Sequence, residues 1–379
     1  MDIQEFSFPT RILFGAGAIS RTAAELKNAG KKRPLLVADR HVARLPFVRS
    51  LEADLKSAGL DISEFHEFSG NPVESHVMYG AAAFKNHRAD SLVIIGGGAT
   101  LDTGKAIALM AGHPGKLFDY REDGPGRFDQ PIPWMVAIPT TAGTGSEVGR
   151  SSVISRDDTR EKVVIFSPVM LPPLVIADPG LTTGLPPGVT ATTGFDALSH
   201  SLEAWLSRGW HPSCDGIALE ASRLVLENIT RACEQPDDIE ARGHMLMASL
   251  MGAIAFQKGL GVIHSCAHAL STVFDLHHGT AIALMTPAGI TYNAMDTETG
   301  KRIRRLANYA GLPEGTSLAG HIKNLRQRLL PDLSLRDCGV RITADLIGAA
   351  MADGCHGLNP RPIDEGSLRT IFDEAYRNG

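Results

Sequence analysis

Acidic residues and histidines at helical spacing carry the strongest chemical signal in this sequence. In Gly194-Phe195-Asp196-Ala197-Leu198-Ser199-His200 a carboxylate and an imidazole stand four positions apart, so on a helix they stack on one face and can share an ion. His264 and His268 repeat that spacing, and His277-His278-Gly279 adds two more imidazoles. One carboxylate and three imidazoles, without the thiolates of a structural zinc site, suit Fe(II), Zn(II), Co(II) or Mn(II). Each motif alone is better explained by a histidine satisfied in a core or on a surface. Three of them between Asp196 and His278, with apolar flanks and in a chain of only 14 histidines, favour a metal site.

A second signal lies in the first half. The apolar run Ser91 to Ile95 leads into Gly96-Gly97-Gly98 and then the helical pattern Ala99 to Lys105. Glycines let backbone approach a polyanion, and a helix start offers N–H groups and the positive end of its dipole. The segment matches neither GxGxxG nor GxxxxGK[ST], so a tight connection explains it about as well as a phosphate cradle. Asp39, at the end of the run Leu35 to Ala38, can accept hydrogen bonds from ribose hydroxyls and would repel a 2′-phosphate; a cap or turn role is the alternative. Pro139 to Glu147 places hydroxyls and glycines beyond a further apolar run, where they could line a nucleotide crevice.

The elements that must position these groups are legible in outline. Pro34 to Ala38, Ser91 to Ile95, Trp134 to Ile138 and Leu174 to Ala177 read as buried parallel strands, with helical periodicity at Thr22 to Lys27 and Phe47 to Ala58 between them. Ser151 to Ile154 and Lys162 to Ile165 read as a β-hairpin appended to the sheet. Beyond Pro186-Pro187-Gly188 the pattern turns helical: Thr190 to Leu206, Cys214 to Cys233, Glu240 to Gln257 and Ile263 to Phe274. The expectation is an α/β domain over 1–185 and an all-helical domain over 186–379, with the active site where they meet.

Composition narrows the function further. With 379 residues, 43% hydrophobic and 21% charged, the chain can bury two cores without metal or disulfide staples. A formal charge of −5 without like-charge blocks argues against nucleic acid as a partner. No stretch approaches the roughly 20 apolar residues of a membrane span, and no signal-peptide pattern opens the chain, so a cytoplasmic protein without a membrane partner is expected. The five scattered cysteines suggest reduced thiols.

Taken together, GGGATLDTGKA (Gly96 to Ala106), IPTTAGTGSEV (Ile138 to Val148), TGFDALSHSLEAW (Thr193 to Trp205), GLGVIHSCAHAL (Gly259 to Leu270) and the later HHG resemble the iron-containing, group III alcohol dehydrogenase family, in order and spacing over nearly the whole chain. The resemblance implies an N-terminal Rossmann-like dinucleotide-binding α/β domain and a C-terminal all-helical metal-binding domain, the dehydroquinate synthase-like plan. It implies a metal-dependent oxidoreductase passing hydride between NAD(H) and a small alcohol or aldehyde. Carried over position by position, the metal ligands would be Asp196, His200, His264 and His278, with Fe(II) as the ion and Zn(II) as the other candidate. His268 would lie near the nicotinamide and relay a proton. Cofactor contacts would fall on Asp39, Asn71, Gly97, Gly98, Asp102, Thr140, Thr141, Gly149, Ser151, Lys162, Leu181 and His268, with NAD rather than NADP. Family members are commonly homodimers or larger homo-oligomers.

The chain departs from many members in carrying Ala269 after His268, where they have proline, and His277, where they have a small residue or proline. Two alternative readings stand beside the first. One is an oxo-acid reductase of the maleylacetate reductase type, for which Arg150, His356 and Arg361 are candidate anion anchors; retention of Asp196 argues against it. The other is an NAD-using lyase similar to dehydroquinate synthase, which would need a dense basic pocket.

Overall fold

In the computed structural model, which describes Phe8 and residues 10–377, the chain forms two compact units. One holds Phe8, 10–141 and 145–182; the other holds 183–377 together with Ala142–Thr144.

The first unit is built on strands β1 (Arg11–Phe14), β2 (Pro34–Val37), β3 (Ser63–Phe65), β4 (Ser91–Gly96), β5 (Trp134–Pro139) and β8 (Leu174–Ala177), all parallel, in the order β1-β8-β5-β4-β2-β3. Every residue of β2, β4 and β8 is buried, which is why their sequences read as unbroken apolar runs rather than alternating ones. β1 and β3, which the apolar runs do not announce, are the two edges, and neither is fully buried. Helices α1 (Thr22–Asn28), α2 (Pro46–Ser57), α3 (Glu74–His87) and α4 (Gly98–Gly112) make the crossovers. Leu26, Leu51 and Leu55 pack with Leu36, Val93, Val136 and Ile176 in one core, at roughly 1.5–3 kcal/mol for each such side chain taken from water. Gly104 allows α4 to lie directly on the sheet, since a Cβ there would stand 2.5 Å from Cγ2 of Ile94.

The hairpin β6 (Ser151–Ser155) and β7 (Lys162–Phe166) forms, but not as an extension of the sheet. Among the described residues it is a separate two-stranded antiparallel ribbon, whose one further β-bridge pairs Ser155 with Val73.

The second unit contains, among its described residues, helices and no β-ladder: α5 (Pro187–Leu206), α6 (Pro212–Glu234), α7 (Ile239–Ala255), α8 (Val262–Phe274), α9 (His278–Ala294), α10 (Thr297–Tyr309), α11 (Leu318–Leu329), α12 (Ala344–Ala352) and α13 (Glu365–Arg377). Proline at the first turn starts α5, and Asp238, Asp296, Ser317 and Thr343 cap α7, α10, α11 and α12 by accepting backbone N–H groups. From Phe195 to Leu206 every residue of α5 is buried, so its polar side chains must find partners inside the protein. No single described helix is long and apolar enough to cross a membrane; α7 and α8 reach that length and composition together only across a 105° bend.

Candidate active site

The buried polar face of α5 meets the starts of α8 and α9. Asp196 Oδ1 lies 3.3 Å from Nε2 of His278, 3.9 Å from Nε2 of His200 and 4.0 Å from Nε2 of His264. Ligating atoms of Asp196, His200 and His264 all fall within 4.8 Å of one another, and these three residues are buried. The four expected ligands therefore converge, from three helices, on one carboxylate oxygen. Gly279 makes part of this possible: a Cβ there would stand 2.9 Å from the carbonyl oxygen of Thr192, so only glycine lets the first turn of α9, with His278, press onto α5.

Two features of the cluster fit a cation. Asp196 Oδ1 and His264 Nε2 are buried and make no hydrogen bond of acceptable geometry. Leaving such atoms unpaired costs about 1–3 kcal/mol each, and an ion between them removes that cost. The protonation states fit too. Burial pushes the His200 imidazole down to about 4 and that of His264 down to about 3, so both are neutral at pH 7. Burial opposes ionisation of Asp196, but the surrounding histidines hold it below the usual carboxylate range. Neutral imidazoles and an ionised carboxylate are the forms that ligate metal.

A residue outside the expected set orients one of these groups. Glu203, on the same face of α5 as His200 and Asp196, places Oε2 2.5 Å from Nδ1 of His264 and accepts the Ile263 N–H through Oε1 at 2.6 Å. Burial pushes the Glu203 carboxyl up to about 7, against the pull of the amides of Ile263, Gly261 and His264. As a carboxylate it accepts from Nδ1–H, which leaves the Nε2 lone pair of His264 turned to the cluster. The spacing 196, 200, 203 could have flagged it.

His268 sits one turn beyond His264 on α8. Its ring centroid is 5.2 Å from that of His278 and 6.0 Å from that of His264, and Nδ1 is 2.8 Å from Oδ2 of Asp353. His277 is the residue just before α9.

In the first unit, the loops after β2, β4 and β5 leave the same edge of the sheet. β2 and β4 are neighbours, yet the chain runs from β2 outward to β3 and from β4 the other way to β5, which makes their carboxyl ends a topological switch point. Gly97 and Gly98 open α4 there, and Thr140, whose amide donates to the Gly96 carbonyl at 3.0 Å, and Thr141 follow β5. Asp39 follows β2. Its Oδ1 accepts the N–H groups of His41 and Val42 at 2.8 and 3.1 Å, so it does cap the next turn; its Oδ2 takes the Thr100 hydroxyl at 3.2 Å.

The remaining expected cofactor residues divide by setting. Asn71 is exposed in the loop before α3, while Gly149, Ser151 and Lys162 lie at the ribbon. Asp102 ties α4 to that region: its carboxylate accepts the Ser146 hydroxyl and, at 2.9 Å, the Val153 amide. Lys105, fully buried, reaches the Ser146 and Ser151 carbonyls and lies 3.3 Å from Asp102. Leu181 packs in the core of the unit.

The candidate anion anchors are engaged elsewhere. Arg361 donates to the Tyr292 carbonyl at 2.9 Å with its guanidinium 3.9 Å from that ring's centroid. His356 Nε2 is 3.1 Å from the Met351 carbonyl, and Arg150 stands over the Phe166 ring.

Residues 9–179 match the family described as iron-containing alcohol dehydrogenase, and 190–376 match the C-terminal domain family of Fe-containing alcohol dehydrogenases. The chain is 38% identical over 381 residues to a 4-hydroxybutyrate dehydrogenase of Cupriavidus necator, covering 97% of this chain and 98% of that protein. It is 35% identical over 311 residues to an NAD-dependent methanol dehydrogenase of Bacillus methanolicus, covering 81% of each. A crystal structure of 1,3-propanediol oxidoreductase superposes with a TM-score of 0.91 at 34% identity, covering 98% of this chain and 100% of the other.

Proposed function

The chain belongs to the iron-containing alcohol dehydrogenase family, and from that premise we propose that it interconverts a small, uncharged primary alcohol and its aldehyde with NAD(H), at a cation held by Asp196, His200, His264 and His278. It is an oxidoreductase of alcohol donors that uses NAD and a metal. The observation that carries the site assignment is the pair of buried, unpaired atoms, Asp196 Oδ1 and His264 Nε2, facing each other across 4.0 Å.

When bound, the cation supplies Lewis acidity at the substrate oxygen and NAD supplies the hydride acceptor. The protein's own part is positional and electrostatic. Asp196 puts a negative charge among three imidazoles, and Glu203 holds His264 so that Nε2 faces inward. His268, beside the cluster but turned to Asp353 rather than to Asp196, takes the hydroxyl proton during oxidation and returns it during reduction. Gly97 and Gly98, with the start of α4, cradle the pyrophosphate, and Asp39, once it exchanges the Thr100 hydroxyl for a ribose hydroxyl, selects NAD over NADP.

Membership of an iron-containing family supports Fe(II), which the donor set of one carboxylate and three imidazoles accepts, with Zn(II) as the alternative ion. The engaged state of Arg361, His356 and Arg150 supports a neutral substrate over an oxo acid. We place the enzyme in the cytoplasm as a homodimer or larger homo-oligomer, with 1–185 as the nucleotide domain and 186–379 as the metal domain; its unpaired cysteines suit a reducing compartment.

The test is anaerobic NADH oxidation with Fe(II) or Zn(II) against short aldehydes and oxo acids, including the aldehydes of 1,3-propanediol and 4-hydroxybutyrate. Turnover of neutral aldehydes, lost with metal content in His264→Ala, is expected. Full turnover in metal-free protein, or turnover of oxo acids alone, would contradict the reading.

A further inference from the structure

Asp353 follows α12 and sits 85 positions beyond His268, yet the two side chains meet. Each carboxylate oxygen has a defined use. Oδ1 accepts the Cys355 N–H at 2.8 Å and the Ser265 hydroxyl at 2.7 Å, while Oδ2 lies 2.8 Å from Nδ1 of His268. Ser265 and His268 are three apart on α8 and so share a face. The Ser265 oxygen also accepts the His356 N–H at 2.9 Å, which pins the segment after Asp353 to the same helix.

Two donors aimed at Oδ1, the Cys355 N–H and the Ser265 hydroxyl, favour the ionised form of this carboxylate. Burial opposes this, but the His268 ring and the other donors hold Asp353 below the ordinary carboxylate range. An ionised carboxylate can only accept, so Nδ1 of His268 must carry the hydrogen. The Cys355 sulfur, 4.0 Å from Nδ1, does not compete, because burial drives its thiol far up and keeps it neutral.

We propose that Asp353 is a positioning residue for proton transfer: it fixes His268 in the Nδ1–H tautomer, leaves Nε2 as the proton acceptor, and stabilises the imidazolium that forms. In alcohol oxidation the O–H bond breaks and its proton goes to Nε2. The carbinol C–H bond breaks as hydride, and its electron pair goes to NAD. The Nδ1 hydrogen stays on the imidazole, held by Oδ2, and Asp353 is never protonated. The proposal rests on the reading of His268 as the proton relay.

The experiment compares Asp353→Asn, Asp353→Glu, His268→Asn and the double variant Asp353→Asn/His268→Asn with wild-type holoenzyme. Asparagine keeps the shape and the capping oxygen, so the turn after Asp353 is retained. The readouts are kcat and KM for alcohol and NAD, metal content, the melting temperature, and the imidazole ¹⁵N shifts of His268 in Zn(II)-loaded protein. Expected results are a fall in kcat of about 10–100-fold in Asp353→Asn, in line with losses from groups that orient a working histidine, with unchanged metal content and NAD KM. Asp353→Glu recovers part of the loss, the wild-type ¹⁵N shifts report hydrogen on Nδ1, and Asp353→Asn costs nothing more in the His268→Asn background. Wild-type kcat in Asp353→Asn alongside an impaired His268→Asn overturns the dyad alone, as does a full additional loss in the double variant. Wild-type kcat in His268→Asn overturns the relay reading itself, and the dyad with it.

Discussion

Oε2 of Glu203 lies 2.5 Å from Nδ1 of His264, across 61 positions of sequence. Through this contact α5 does two things at once: it presents Asp196 and His200 to the cluster, and it aims an imidazole that belongs to α8. The buried end of α8 depends on the same side chain, because Oε1 also satisfies the otherwise unpaired Ile263 amide.

Glu203→Gln is expected to weaken metal binding by about 10–100-fold without unfolding the protein, since glutamine still accepts one N–H but no longer supports the His264 tautomer with a charge. A competitive chelator titration reads this directly. Equal affinity in the two proteins would show that Glu203 serves only the backbone.

Asp39→Gly removes both the proposed ribose acceptor and the cap of the turn after β2. Two effects should therefore appear together: kcat/KM with NADP should rise relative to NAD, and stability should fall by only about 0.3 kcal/mol, because glycine is itself a tolerated cap. Steady-state kinetics with both cofactors and a urea titration separate them. Loss of stability with unchanged cofactor preference would leave Asp39 as a cap alone.

Gly104→Ala pushes a Cβ to within 2.5 Å of Ile94 in the middle of the sheet. Overpacking of this kind costs about 1–3 kcal/mol. Adding Ile94→Ala should return part of it, because the clash is with that side chain. Urea midpoints of the single and double variants check this, and additive losses would count against it.

The pH dependence of stability should carry a contribution from Glu147. Its carboxyl is buried and pushed up to about 7, from an ordinary value of 4.5, by burial first, against the weaker pull of its own amide and of Lys105. Between those values the folded chain binds more protons at this site than the unfolded chain, so stability is fully present below 4.5 and lost as pH rises through about 7. At about 1.4 kcal/mol per unit the ceiling is about 3 kcal/mol. Urea titrations at pH 5 and pH 8 should show a flatter slope in Glu147→Gln; identical slopes in both proteins would remove Glu147 from the account.

Much of this was legible in the residues because burial writes a strong pattern. Fully buried parallel strands give unbroken apolar runs, and β2, β4, β5 and β8 were all readable from them. β1 and β3 were not, since short edge strands with one wet side give three or four residues of mixed character. The hairpin was visible by alternation, but not its detachment from the sheet, which depends on pairing rather than on composition. At the site, i,i+4 spacing exposed Asp196 with His200 and His264 with His268, because a helix alone enforces those neighbours. Choosing His278 over His277 and His268 as the fourth ligand took the family resemblance. Glu203 carries a local signal, since it stands three positions after His200 and so on the same face of α5. Asp353 had none: a contact across 85 positions is set by how α12 and α8 pack, and no local pattern encodes it.

X-ray absorption of the Zn(II)-loaded protein tests the central claim most directly, because it counts ligands without altering any of them. The expected result is one zinc per chain with a first shell of nitrogen and oxygen only, at roughly 2.0–2.1 Å, and multiple scattering from three imidazoles. A sulfur shell at roughly 2.3 Å, or fewer than two imidazoles, would mean that Asp196, His200, His264 and His278 do not hold the ion.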